Sequence, residues 1–163
     1  MSALSSDPIE SIGRLFPEAR EKGGATGAPA HGFPVFASVP LGAPLLVDGT
    51  TYKHAIFIAP CDGCFIKEAW LSAAVKIGSG TNTIAFDNYD ASGDAARNVL
   101  STATIDPDTI TTTEGLQLTL STTLTDRVMD EGDVLNAVLV CGTMTTAGQG
   151  YVVTALILVP DVI

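Results

Sequence analysis

An all-β sandwich or barrel is the fold class this chain predicts, and three observations carry that expectation. Short apolar runs recur from Val35 onward, turn-forming residues separate them, and nothing beyond residue 34 has both the length and the periodicity of a helix. Composition agrees: of 163 residues, 46% are hydrophobic and only 16% charged, so the chain has enough apolar material for one buried core despite a formal net charge of −10. No repeat of fixed period is present, which argues against a solenoid or propeller.

The predicted strands are residues 35–39, 53–59, 64–77, 81–86, 98–105, 115–121, 133–141 and 150–159. Between them stand Asp48-Gly49, Asp62-Gly63, Gly78-Ser79-Gly80, Ser92-Gly93-Asp94, Glu131-Gly132-Asp133 and Gly148-Gln149-Gly150, residues that tolerate tight-turn conformations. Residues 106–112 have room for a single helical turn. In 115–121, Leu116, Leu118 and Leu120 alternate with Gln117, Thr119 and Ser121, the pattern of a strand with one wet face. Two strands break that pattern. The last has Tyr151, Val153, Ala155, Ile157 and Val159 on one face and Val152, Leu156 and Leu158 on the other, with Thr154 its one polar residue. Residues 134–140 are similar, Asn136 being the polar exception and Val138 a member of the second face. Strands apolar on both sides need a second cover. The candidates are the amino-terminal segment, a loop such as 122–130, or a neighbouring subunit. A subunit interface through Val152, Leu156, Leu158 and Val138 is the expectation for at least part of it.

Residues 1–34 read as an arm and connector attached to a β-domain spanning 35–163. Asp7, Pro8 and Glu10 suit the start of a short helix, and Ile9, Ile12, Leu15 or Phe16, and Ala19 recur at helical spacing. Pro17 should kink it, and the Gly/Ala/Pro-rich stretch that follows lacks core-forming periodicity. The arm holds three basic and four acidic side chains, so −9 of the net −10 belongs to the domain.

Charge and motif content exclude several function classes. The eight Lys and Arg residues are scattered, so neither a phosphate-binding groove nor an anionic membrane surface is an expected partner. The most apolar run, 152–159, is far shorter than a spanning helix, and the first residues lack a signal-peptide pattern, so synthesis in the cytosol is expected. Three cysteines do not make a disulfide framework. Cys61-Asp62-Gly63-Cys64 has the spacing of a thiol pair or half a zinc site, but strand-like runs flank it, and a tight turn with Asp-Gly at its tip is the preferred reading. Asp87, Asn88, Asp90 and Asp94 offer oxygens without the spacing of a calcium loop, and Asp130, Glu131 and Asp133 read as a solvated turn. No nucleophile elbow, phosphate loop, metalloprotease or dinucleotide motif is present. His54 begins a strand, where a rim position is usual, and His31 lies in the connector. No cofactor, metal or enzymatic activity is expected. Sugar binding would need an exposed aromatic, and Trp70, the single tryptophan, sits where a core position is at least as plausible.

One family pattern is nonetheless recognisable. AIFIAPCDGCFIKEAWL, then TNTIAFDNYD, then GLQLTLSTTLTDRVMDEGDVLNAVLV and GQGYVVTALILV together resemble capsid decoration (cement) proteins and related head proteins of tailed bacteriophages. The suggestive positions are Ala59, Pro60, Asp62, Gly63, Ile66, Ala69 and Leu71, and the Gly132, Asp133, Val134, Leu135 run. The resemblance spans 35–163 through turn-and-strand signatures. It implies a jelly-roll-like β-sandwich, a homotrimer on the outer capsid surface of the virion, and the major capsid protein as partner. It also implies an extended terminal arm laid across the shell. Ile9, Ile12, Leu15, Phe16 and Phe33, with Phe36 just past the boundary, would supply the arm's apolar contacts. A receptor- or carbohydrate-binding fibre module of a phage is the alternative.

Overall fold

A computed structural model of the chain describes residues 32–42, 45–91, 96–111 and 115–161. Of the arm residues expected to carry contacts, Ile9, Ile12, Leu15 and Phe16 lie outside these, as do His31 and Asp94.

Among the described residues, nine strands form two antiparallel sheets. In chain order they are β1 (Gly32–Leu41), β2 (Thr51–Ile58), β3 (Cys64–Ser72), β4 (Thr83–Tyr89), β5 (Ala96–Asn98), β6 (Leu116–Gln117), β7 (Val128–Met129), β8 (Val134–Val140) and β9 (Tyr151–Pro160). One sheet runs β1-β9-β3-β6, with β7 pairing the same edge of β3 as β6, and the other runs β2-β8-β4-β5. Most successive strands change sheet, so first pairs with last and second with second-last. That is the strand order of a jelly roll, and the fold class read from the sequence is correct.

Local chemistry explains the element boundaries. β1 begins at Gly32, not Val35, because Gly32 continues the ladder to Pro160 and the register then runs unshifted to Leu41 opposite Tyr151. Phe33 and Phe36 are therefore sheet residues, not arm residues. β3 ends at Ser72, five residues short of the expected limit, because the chain then forms a single bridge, Val75 to Gln149. The 106–112 turn is a 3₁₀ turn, Pro107–Thr109, capped by the Asp106 carboxylate accepting from the Asp108 N–H. β7 lies in what the sequence presents as loop.

The core fills the space between the sheets, with Ile66, Ala69 and Leu71 of β3 and Val153, Ala155 and Ile157 of β9 facing Ile84 and Phe86 of β4 and Leu135, Ala137 and Leu139 of β8. Tyr151 is fully buried, and its hydroxyl is satisfied in both senses, accepting from the Ile77 N–H at 2.8 Å and donating to the Pro107 carbonyl at 3.1 Å. At one end of the sandwich the β3–β4 and β8–β9 connections are joined by backbone hydrogen bonds such as Gly78 N–H to Thr146 O. Their approach is so close that a Cβ on Gly80 would overlap the Thr143 carbonyl.

The opposite end overturns one expectation. Asp133 is not part of a solvated turn: its side chain is 2% exposed and pairs with Arg97 at 3.2 Å. The same carboxylate accepts from the backbone N–H groups of Ala91 and Asp130, each at 3.0 Å, and so ties the β4–β5 and β7–β8 connections together. Asp133→Ala should lower the unfolding free energy by about 3 kcal/mol, because Arg97 and two N–H groups lose a common acceptor. A urea midpoint shift with unchanged m tests this, and a loss below about 1 kcal/mol would refute it.

Candidate interaction surface

Sheet residues alternate, so each sheet has a face turned away from the core. On β1-β9-β3 the cross-strand pairs set the outward rows: Pro34, Leu158 and Phe65; Phe36, Leu156 and Glu68; Ser38, Thr154 and Trp70; Pro40, Val152 and Ser72. β3 keeps this phase only because of a bulge at Lys67, where the pairing steps from Ile66 to Glu68. Arg127 serves the carbonyls at this irregular step, donating to Ile66 O at 2.9 Å and Lys67 O at 3.1 Å while its guanidinium lies over the Phe65 ring.

Phe36 and Trp70 form the centre of this face. They stand on the two strands flanking β9, which lie about 10 Å apart, yet their ring centroids are 6.4 Å apart at an interplanar angle of 32°. The rings must lean toward each other across β9. Phe36 is 67% exposed and Trp70 half-buried, so Trp70 is a face residue and not a core one. Polar groups sit on the same face: the Ser38 and Thr154 hydroxyls are bonded at 2.8 Å, and Gln117 donates to Glu68 at 3.4 Å.

The four residues expected at an interface are not brought together. Leu158 is 1% exposed because Phe65, Leu124 and Val128 close over it within the chain, so the 122–130 loop supplies its cover. Leu156 is buried between its neighbours Phe36 and Glu68. Neither has surface to offer a partner. Val152 is half-buried at the Pro40–Ser72 row. Val138 faces outward from the other sheet, between Lys53 and Ala85. There the Lys53 ammonium reaches over the Tyr89 ring at 4.0 Å, and burial raises the pKa of the neighbouring Asp87 against the lowering effect of Lys53. The sequence missed the Phe36–Trp70 pair. A parity argument from Leu158 through β1 would have found Phe36, but Trp70 requires the bulge.

The remaining motifs resolve as structural parts. Asp62-Gly63 forms the turn between β2 and β3, with Gly63 at φ +80°. Cys61 and Cys64 are free thiols with sulfurs 4.0 Å apart, and Cys64 donates to the Cys61 carbonyl. Burial first, and Cys61 second, push the Cys64 thiol up to about 12. Asp62 accepts from the Glu131 N–H at 2.8 Å, joining this turn to the β7–β8 turn. Asp87 and Asn88 are adjacent strand residues on opposite faces, and Asn88 faces the core, donating to Val128 O; they do not converge on an ion. His54 is half-buried and accepts from the Gly42 N–H through Nε2 at 3.4 Å. Among the described residues, no group of three His, Cys, Asp or Glu side chains is positioned to hold a metal ion, and no helix is long and apolar enough to cross a membrane. A cleft of about 260 Å³ lies between residues 101–109 and 116–119, lined by Ser101, Thr102, Thr109, Gln117 and Thr119 over Ile105, Leu116 and Leu118. Among the described residues, its lining holds none of the usual general acids or bases. No family model, curated protein or solved structure matches this chain.

Alkaline titration follows from the Cys64 environment. The folded thiol holds its proton up to about 12, whereas the unfolded one releases it near 9, so between those values the native state binds more protons and stability falls as pH rises. Burial raises Cys141 and Tyr151 as well, which adds to the loss. Cys64→Ala should shift stability at neutral pH but flatten its decline from pH 9 to 12. An unfolding series as steep as that of the parent chain would contradict the assignment.

Proposed function

We propose that the protein is a structural virion component, a capsid decoration (cement) protein of a tailed bacteriophage that binds the outer surface of the major capsid shell as a homo-oligomer, a trimer, and stabilises it. The observation that carries this reading is the outward, largely uncharged Phe36–Trp70 surface on an otherwise acidic jelly roll. A face of aromatic and aliphatic groups with few charges suits contact with protein, where burying ions is costly. The domain's −9 is compatible with the solvent side of a shell, where it opposes nonspecific association. Fold supports the reading by analogy only, since jelly rolls serve both capsids and lectins.

Residues 1–31 join the domain at Gly32, at the edge of the sheet that bears Phe36. In this reading that segment is the capsid-binding arm, with Ile9, Ile12, Leu15 and Phe16 as its apolar contacts and many weak contacts multiplied by symmetry. Shells lacking the protein provide the test. The full-length chain should co-sediment with them, and replacing Leu15 and Phe16 together by Asp should lower occupancy roughly tenfold or more. Failure of the parent chain to co-sediment rejects the function, and unchanged occupancy of the double variant rejects the arm.

A glycan-binding fibre module is the second reading, favoured by the Trp70 ring beside the Ser38 and Thr154 hydroxyls. Sugars stack on such rings while hydroxyls and amides fix their orientation. Saturable glycan binding that is lost in Trp70→Ala, together with no binding to shells, would favour it over the capsid reading.

A further inference from the structure

We infer that Cys61 and Cys64 form a reversible intramolecular disulfide, a redox modification site at the β2–β3 turn in which Cys61 meets the oxidant and Cys64 closes the ring. It stands independently of the capsid reading. The turn and the thiol pair are compatible, because the turn is what brings the sulfurs together. Asp62 and Gly63 occupy its two central positions, with Gly63 at φ +80°, and the outer residues of such a turn lie within about 7 Å of each other, Cα to Cα. That overlaps the roughly 4.4–6.8 Å a disulfide tolerates. The sulfurs are 4.0 Å apart, and the Cys64 thiol donates to the Cys61 carbonyl at 3.3 Å, so both side chains lie on one side of the turn. Closing to the ~2.05 Å of an S–S bond is therefore work for side-chain torsions, with the turn left in place.

Folding fixes the segment that carries both thiols. The Ala59 N–H donates to Asp133 O and the Gly132 N–H to Ala59 O, each at 2.9 Å, Asp62 accepts from the Glu131 N–H, and Cys64 pairs with Met129 of β7. Residues 59–64 are thereby held at each end against the β7–β8 connection. Access divides the roles: Cys64 is fully buried and Cys61 only half-buried, so a reagent in solution reaches Cys61. Cys141 is buried at the opposite end of β8, beyond Val140, whereas this turn is bonded at Asp133, just before Val134. It is no competing partner.

The oxidant is a small disulfide such as oxidised glutathione. Cys61, as thiolate, attacks one of its sulfurs; the reagent's S–S bond breaks, a mixed disulfide forms, and the first thiolate leaves and takes up the Cys61 proton. Cys64 then attacks the Cys61 sulfur, the mixed disulfide breaks, and the second thiolate leaves with the Cys64 proton. The two cysteines have given up two electrons and two protons, and the reagent departs as two thiols. Burial first, and Cys61 second, hold the Cys64 proton up to about 12, which makes ring closure the slower step and keeps Cys64 from attacking reagents directly. A half-buried sulfur in so short a ring stays open to reduction by the same exchange. Reducing surroundings keep the pair as thiols and oxidising ones close it.

Equilibrating the reduced, full-length chain with oxidised and reduced glutathione tests the inference. The expected product is lighter by two hydrogens, located by trypsin to the peptide 54–67, and denaturation exposes one alkylatable thiol, Cys141; dithiothreitol restores all three. Cys64→Ala should stop at the glutathione adduct of Cys61, and Cys61→Ala, at a half-buried position, should fold and form neither product. In the folded parent the pair should be oxidised at least about tenfold more readily, as an equilibrium, than in urea. That comparison uses the parent chain alone and holds whether or not Cys64→Ala folds. A folded parent that keeps three free thiols, one that accumulates the Cys61 adduct without closing the ring, a bond to Cys141, or a pair no more readily oxidised folded than in urea would each overturn the inference.

Discussion

Covering β9 on both sides is the constraint on which the rest of the structure depends. It is the central strand of its sheet, and all but Thr154 of its interior positions are apolar, so neither face can be left to water. Its inner face meets β8 and β4 across the core. Its outer face is served piecemeal: Leu158 by the 122–130 loop, Leu156 by its neighbours on β1 and β3, and Val152 only in part. Fully burying a leucine is worth roughly 1.5–3 kcal/mol, enough to favour folding a loop over a sheet face that would otherwise be solvated.

That cover has a structural cost at β3, and Arg127 meets it. Bringing Phe65 over Leu158 while keeping Ile66, Ala69 and Leu71 in the core requires one extra residue, Lys67, and the bulge leaves carbonyls off the β9 ladder. Arg127, at the end of the covering loop, donates to two of them and packs on Phe65, so one side chain secures the bulge, the loop and the second apolar cluster. Asp133 does comparable work at the β7–β8 turn. The outer face that results is neither core nor ordinary surface: closed at the Leu158 end, open at Phe36 and Trp70.

The all-β class, the turns and most strand positions were legible because alternation and turn chemistry are local properties. The Asp62-Gly63 tip is an example, since its positive φ is a requirement of the turn itself. The buried role of Asp133 was not legible, because DEGD at a turn is also what a solvated loop contains, and its partner Arg97 is 36 residues away. Trp70 was misjudged for a related reason. A bulge shifts the inward and outward phase of every later residue in a strand, and nothing in KEAWL marks where the extra residue is absorbed.

Sequence alone determined that this chain must hide two doubly apolar strands, that it has turns enough for a sandwich, and that its net charge resides on the β-domain. Those are sums and periodicities, readable without knowing which residues meet. Only the tertiary structure decided what hides each apolar face, since that depends on strand order and on one bulge. Pairing first strand with last placed Phe36 beside β9, and the bulge turned Trp70 outward to meet it, so the outward aromatic pair comes from residues 34 positions apart that no local pattern connects.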